Sequence, residues 1–138
     1  MPIRLHIDET DRRLYTRAEG LVTYADLHAH VHTELSPEAA TYGEIFDCSG
    51  ATTDITADEI RQLVRERQKV DEQQRRPGPV AIIATNNAFF GMLRMFDILT
   101  EQLRPLRVFR NAQEAVQWLD EVTDSTAQPN NSVNRTRN

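Results

Sequence analysis

The sequence predicts an α/β fold: a small mixed, mostly parallel sheet that opens with an antiparallel hairpin and carries helices packed on it. Three observations lead there. Two segments at the start, "IRLHID" and "RRLYTRAEG", alternate apolar and polar residues around the turn-like cluster "DETD". Beyond them, short apolar runs alternate with helix-period segments to the end of the chain. One of those runs, "VAIIAT", is apolar throughout, which suits a central strand buried on both faces.

Taken in order, the hairpin strands fall at residues 3–8 and 12–19, with Gly20 ending the second. Thr23 can cap a helix across "TYADLHAHVHTEL", on which Tyr24, Leu27, Val31 and Leu35 share one stripe. "SPEAA" is a break or an extra turn, and "YGEIFDCS" is a short, largely buried strand. "TADEIRQLVRERQKVDEQQRR" is the clearest helix. Thr56 and Glu59 form a capping box, Ile60, Leu63, Val64 and Val70 make a narrow apolar stripe, and "PGP" at 77–79 stops it. After "VAIIAT", a helix over 86–103 starts at Asn86 or Asn87; "LRVF" is a further strand. "NAQEAVQWLDEV" closes the domain as a helix with Ala115, Val116, Trp118 and Leu119 on its apolar side. The order is β-β-α-β-α-β-α-β-α. Residues 123–138 contain almost nothing apolar and read as a disordered polar tail. No internal repeat is present.

The 138 residues suit one domain with a single core. With 21 acidic against 16 basic residues the net charge is −5, which gives no electrostatic footprint for nucleic acid. No apolar run reaches the length of a membrane span, and the first residues lack the apolar stretch of a signal peptide. No stable membrane insertion and a cytoplasmic location are therefore the expectations. "NNS" and "NRT" match the glycosylation sequon by chance on that reading.

Few residues carry obvious chemistry. Cys48, the single cysteine, lies in or at the end of a buried strand, where a thiol acts as a small hydrophobe rather than a nucleophile. His28, His30 and His32 share one helix, and His28 and His32 lie four residues apart, a spacing that can place two imidazoles on one metal ion. No Glu follows the first His, and no carboxylate or thiol is obviously placed to complete the set. The expectation is a solvated flank with no bound metal. Nucleotide fingerprints and the G-x-S-x-G elbow are absent, and no cofactor is implied. Asp47 and Asp54 suit turn hydrogen bonding better than paired acid-base work.

The helix at 86–103 is apolar on two sides. Phe89, Met92, Leu93, Phe96, Leu99 and Leu103 form a broad core stripe. Phe90, Gly91, Arg94, Met95 and Ile98 fall outside it. That second face is open to three readings: further internal packing, a surface for a protein partner or a second copy, or a surface for a lipid-like ligand.

From Ile3 to Val122 the chain resembles the SpoIIAA-like branch of the STAS domain superfamily, the fold of anti-sigma-factor antagonists. The resemblance rests on "AEGLVTYADL", on "IFDCSG" followed by "DITADEI", and most specifically on "VAIIATNNAFFGMLRMF" and "RVFRNAQEAVQWL". It implies a STAS-like domain over 1–122 acting as a non-catalytic interaction or regulatory module that binds a protein partner or itself. A distant relation of this branch to CRAL-TRIO lipid-transfer domains implies, as the alternative, a carrier of a small apolar ligand. In STAS antagonists a Ser or Thr at the start of the helix after this strand is phosphorylated, usually within Asp-Ser-Ser-Gly. Here "TDITADEI" occupies that place: Asp54 matches the Asp and Thr56 the hydroxyl, while the second Ser and the Gly are missing. Ser49, Thr53 and Thr56 are the regulatory hydroxyls that the resemblance singles out.

Overall fold

A computed structural model describes residues 2–73, 77–100 and 104–127. Its five strands are β1 (Ile3–Asp8), β2 (Arg13–Val22), β3 (Gly43–Thr53), β4 (Val80–Ile83) and β5 (Leu106–Phe109). Its four helices are α1 (Tyr24–Val31), α2 (Ala57–Glu72), α3 (Asn87–Thr100) and α4 (Ala112–Ala127). The element order is the expected one. The strands lie side by side in chain order; β1 and β2 are antiparallel and every later pair is parallel.

That topology sets the layers. The connections β2–α1–β3, β3–α2–β4 and β4–α3–β5 all step in one direction across the sheet. Crossovers of one hand then place all three helices on one face. The main core forms there: Ala18, Val22, Phe46, Ile82 and Val108 of the sheet meet Leu27, Ile60, Leu63, Phe89 and Phe96 of the helices. Phe89, Ile60 and Val22 are fully buried, each stabilising by about 1.5–3 kcal/mol relative to exposure. Helix α4 covers the other face, where Ala115 and Leu119 pack on Ile45, Ala81 and Ile83. All four residues of β4 are buried, as a strand covered on both sides requires. No described helix is long and apolar enough to cross a membrane.

Four boundaries differ from the sequence expectation. Gly20 does not end β2. It takes φ 73° inside the strand, just after a register shift between Arg17 and Glu19, and pairing resumes to Val22. Strand β3 likewise continues to Thr53: Gly50, Ala51, Thr52 and Thr53 pair with Glu19, Gly20, Leu21 and Val22. The small and polar residues of "SGATT" hid a strand whose order comes from its neighbour. Helix α1 stops at Val31, and Leu35 instead packs with Leu5, Leu14, Ala39 and Tyr42 in a satellite cluster. Helix α4 runs to Ala127, past the expected boundary at 122; the rest of the expected tail, 128–138, lies outside the described residues.

The caps are where side-chain chemistry places them. Thr23 Oγ1 accepts from Asp26 N at 3.2 Å while Asp26 Oδ2 accepts from Thr23 N at 2.9 Å. Asn86 Oδ1 accepts from Phe89 N at 2.9 Å, and Asn111 Oδ1 from Glu114 N at 2.9 Å. Each occupies a donor that the first helical turn leaves without an intrahelical partner.

Candidate functional site

The carboxyl ends of the parallel strands gather the sequence-selected hydroxyls. Ser49 is exposed on β3; its N–H donates to Asp47 Oδ1 at 2.9 Å, and its carbonyl accepts from Thr85 Oγ1 at 2.9 Å. Thr53 Oγ1 donates to Val22 O at 2.6 Å and accepts from Ile55 N at 3.1 Å. Thr56 accepts from Glu59 N at 3.2 Å, and Glu59 Oε1 accepts from Thr56 N at 2.9 Å, closing the expected capping box. Thr53 and Thr56 thus hold the β3–α2 turn together. The Thr56→Ala variant should lose about 1 kcal/mol of stability, read as a lower urea midpoint with an unchanged slope. An unchanged midpoint would show that the box contributes nothing.

Arg110 joins this corner, unforeseen in the sequence. Its guanidinium donates to Thr85 O at 3.1 Å and to Asn87 Oδ1 at 2.9 Å, and it lies 3.9 Å from the ring centroid of Phe90. It ties the β5–α4 turn to the start of α3. Phe90 therefore has a cation on its ring and also packs at the edge of the main core.

Along α3 the two-sided pattern resolves unevenly. Phe89, Leu93 and Phe96 are buried, and Met92 and Met95 are partly buried against the same core. Ile98 is 56% exposed and Gly91 is exposed, in keeping with a second face. Leu99, expected in the core stripe, is 45% exposed, whereas Asp97 and Thr100 are buried. The reason is local. Thr100 Oγ1 donates to Phe96 O at 2.8 Å, so its hydroxyl is satisfied inside and it takes the inward position. Leu103 lies outside the described residues. Arg94 Nη1 donates to Asp97 Oδ2 at 3.0 Å at the rim of an open groove of about 330 Å³ that Ile98, Arg107 and Trp118 also line.

Cys48 is 1% exposed, and burial, reinforced by the negative charge of Asp47 and Glu44, pushes its thiol up. Such a thiol is a poor nucleophile.

The three histidines separate. His30 turns inward, its ring lies tilted against Phe46 at a centroid distance of 4.8 Å, and its Nε2 donates to Glu44 Oε2 at 2.9 Å. It is no part of a solvated flank. His28 and His32 remain half-exposed with ring centroids 4.5 Å apart. Glu66 of α2 supplies the carboxylate that the sequence did not visibly offer: its Oε1 lies 3.4 Å from His28 Nε2 and 2.8 Å from His32 Nε2. Hydrogen bonds from His32 and then from Lys69 hold the Glu66 carboxyl below its ordinary pKa. The signal for Glu66 was spatial, since only the packing of α1 on α2 brings it beside the pair.

A buried polar cluster surrounds His30. Glu44, 6% exposed, also accepts from Thr16 Oγ1 at 2.5 Å. Behind it, Asp71 lies 3.8 Å from both Arg67 and Arg104. Burial, with the nearby charge of Arg67, draws Arg104 down to about 10, while burial raises the Asp71 carboxyl. These groups border a narrow cavity of about 50 Å³, next to an apolar one of about 30 Å³. One sequence signal pointed here: a lone acid inside the apolar strand "YGEIF" needs a partner once buried.

No protein-family model matches the chain, and no curated protein matches it. Solved structures do. An uncharacterized protein of the DUF3478 family with a SpoIIAA-like fold, from Shewanella loihica PV-4, superposes at a TM-score of 0.53. It is 19% identical and covers 85% of this chain and 93% of its own.

The fold is SpoIIAA-like.

The anti-sigma factor antagonist SpoIIAA in its unphosphorylated form is a weaker likeness, with a TM-score of 0.47 and 18% identity over 88% of this chain and 97% of its own. Within the SpoIIAA-like fold, Ser49 lies beside Thr85, whose carbonyl accepts from the Arg110 that covers Phe90. Ile98 sits instead toward the far end of α3, beside Arg94 and Trp118. Ser49 and the exposed end of the α3 face are therefore two separate places.

Proposed function

We propose that the protein is a non-catalytic interaction module that docks a protein partner on the outward, C-terminal half of α3. The observation that carries this reading is the adjacent exposed pair Ile98 and Leu99, of which Ile98 lines the open groove with Arg94, Arg107 and Trp118. Neighbouring apolar side chains with Arg107 and the Arg94–Asp97 pair on the rim suit a partner with an apolar anchor and polar flanks. The burial of Cys48 and the structural use of Thr53 and Thr56 support a role without covalent catalysis. Thr56 is exposed too, but its hydroxyl closes the capping box; modification of Ser49, also exposed, would add charge at the other corner and is the regulatory arm of the proposal. The alternative, a carrier of a lipid-like ligand, has less support. The enclosed cavities beside His30 are about 50 and about 30 Å³, below the about 300–1,000 Å³ of ligand pockets, and the groove beside Ile98 that reaches about 330 Å³ is open and lined by the charged Arg94, Asp97, Arg104 and Arg107.

The test is a partner identified by crosslinking in the native host and then reconstituted with purified protein. Ile98→Asp should weaken the measured Kd by about 30-fold or more, the scale of a lost hot-spot residue. Leu21→Asp, at an exposed position on β2, should leave it unchanged. An affinity insensitive to Ile98→Asp would remove the α3 face from consideration. Loss with Leu21→Asp alone would move docking to the β2–β3 end. A dimer in sedimentation that dissolves with Ile98→Asp would make the occupant a second copy.

A further inference from the structure

We propose that His28, His32 and Glu66 form a binding site for a divalent transition-metal ion of the zinc type, bridging α1 and α2. Two neutral imidazoles and one carboxylate are a donor set that zinc takes readily, with a fourth position left for water. The three ligand atoms all lie within 4.8 Å of one another. A tetrahedral ion with bonds of about 2.0–2.1 Å needs its ligand atoms about 3.3 Å apart. His28 Nε2 to Glu66 Oε1, at 3.4 Å, already matches that separation. His32 Nε2 to the same oxygen, at 2.8 Å, is a hydrogen bond that must open slightly and exchange its proton for the ion.

The surroundings favour that exchange. The histidine side chains are 43% and 37% exposed, so small rotations are sterically free. The four-residue spacing from His28 on α1 to its C-cap His32 brings the rings together at a tilt, and Tyr24 lies against His28 at a centroid distance of 5.7 Å, which limits how far that ring can swing. Glu66 offers Oε1 to the histidines while Lys69 Nζ contacts Oε2 at 3.3 Å, so the carboxylate is oriented to bind through one oxygen. Helix α1 is short, spanning Tyr24–Val31, and a bridge to α2 would restrain it.

Zinc chloride titrated by calorimetry into tag-free, chelator-stripped protein should give saturable one-to-one binding. Cobalt(II) in its place should give the intense visible bands of a four-coordinate site. At zinc far above Kd the melting temperature should rise by about 5 °C or more, reversibly with chelator. Glu66→Gln and His32→Ala should each weaken binding by at least about tenfold, the scale already seen when a supporting partner of a ligand is removed. Their metal-free melting points serve as the folding control. Absence of saturable binding in the wild type would overturn the proposal. So would equal binding by folded variants, which would mark an adventitious site. If neither variant folds, the cobalt spectrum of the wild type decides: weak, octahedral bands overturn the site.

Discussion

Glu44→Ala is expected to lower the unfolding free energy by about 3–5 kcal/mol, the cost of removing one partner from a buried charge network. The carboxylate receives Thr16 Oγ1 and His30 Nε2, and its loss leaves Arg67 and Arg104 with Asp71 at 3.8 Å. A domain of this size has about 5–15 kcal/mol in total, so the variant should be close to unfolding at modest temperature. Urea denaturation at neutral pH measures the change; a loss under about 1 kcal/mol would mean that the network contributes little.

The same carboxylate makes the protein acid-sensitive. Burial alone would raise its pKa; the charge and hydrogen bond of His30, the Thr16 hydroxyl and the charge of Arg67 outweigh this and hold it at about 2, against an ordinary 4.5. The unfolded chain therefore takes up the proton first. Stabilisation from Glu44 is present above about pH 4.5 and is lost as the pH falls toward about 2. The shift corresponds to about 3 kcal/mol. Asp71 works in the opposite sense, because burial raises its folded-state pKa and protonation favours the fold. The net slope should still be downward with acid, and Glu44→Gln should flatten it. A wild-type stability independent of pH across this window would contradict the assignment.

Gly78→Ala is expected to cost about 3 kcal/mol, at the upper end for overpacking. A Cβ there would lie 1.9 Å from Tyr42 O, 2.6 Å from Tyr42 C and 2.8 Å from Thr41 O. All three are backbone atoms, so no flexible side chain can yield. Gly78 N also donates to Ala40 O at 3.2 Å, and its neighbours Pro77 and Pro79 have fixed φ. Relief would have to come from moving the entry of β3. Gly91→Ala is the counterpart: nothing lies within 4 Å of its Cβ, and the helix should gain about 0.5–1 kcal/mol. Equal melting temperatures for the two variants would show that the close approach at Gly78 is not held in solution.

Both variants mark what a linear reading could reach. "PGP" was legible as a stop after α2, but the reason that only glycine fits at 78 lies with Tyr42, which comes from elsewhere in the chain. Glu44 passed unremarked within a strand read as largely buried, because its partners come from β2, α1 and α2. Charges on α2 read as solvent-facing, yet Asp71 is buried and Arg67 half-buried, because α2 lies over the sheet beside α1. Cys48 and the caps at Thr23 and Thr56 were readable outright, and Asn86 as one of two candidates beside Asn87, since capping depends on neighbours in sequence.

The sequence by itself determined the order of elements, the two-sided burial of β4 and the apolar stripe of α2, because periodicity and caps act over a few residues. Only the tertiary structure decided that "SGATT" is strand and that Glu66 meets His28 and His32. Each of these depends on which elements become neighbours across the sheet, and that pairing is set by crossover topology and packing rather than by any local pattern of residues.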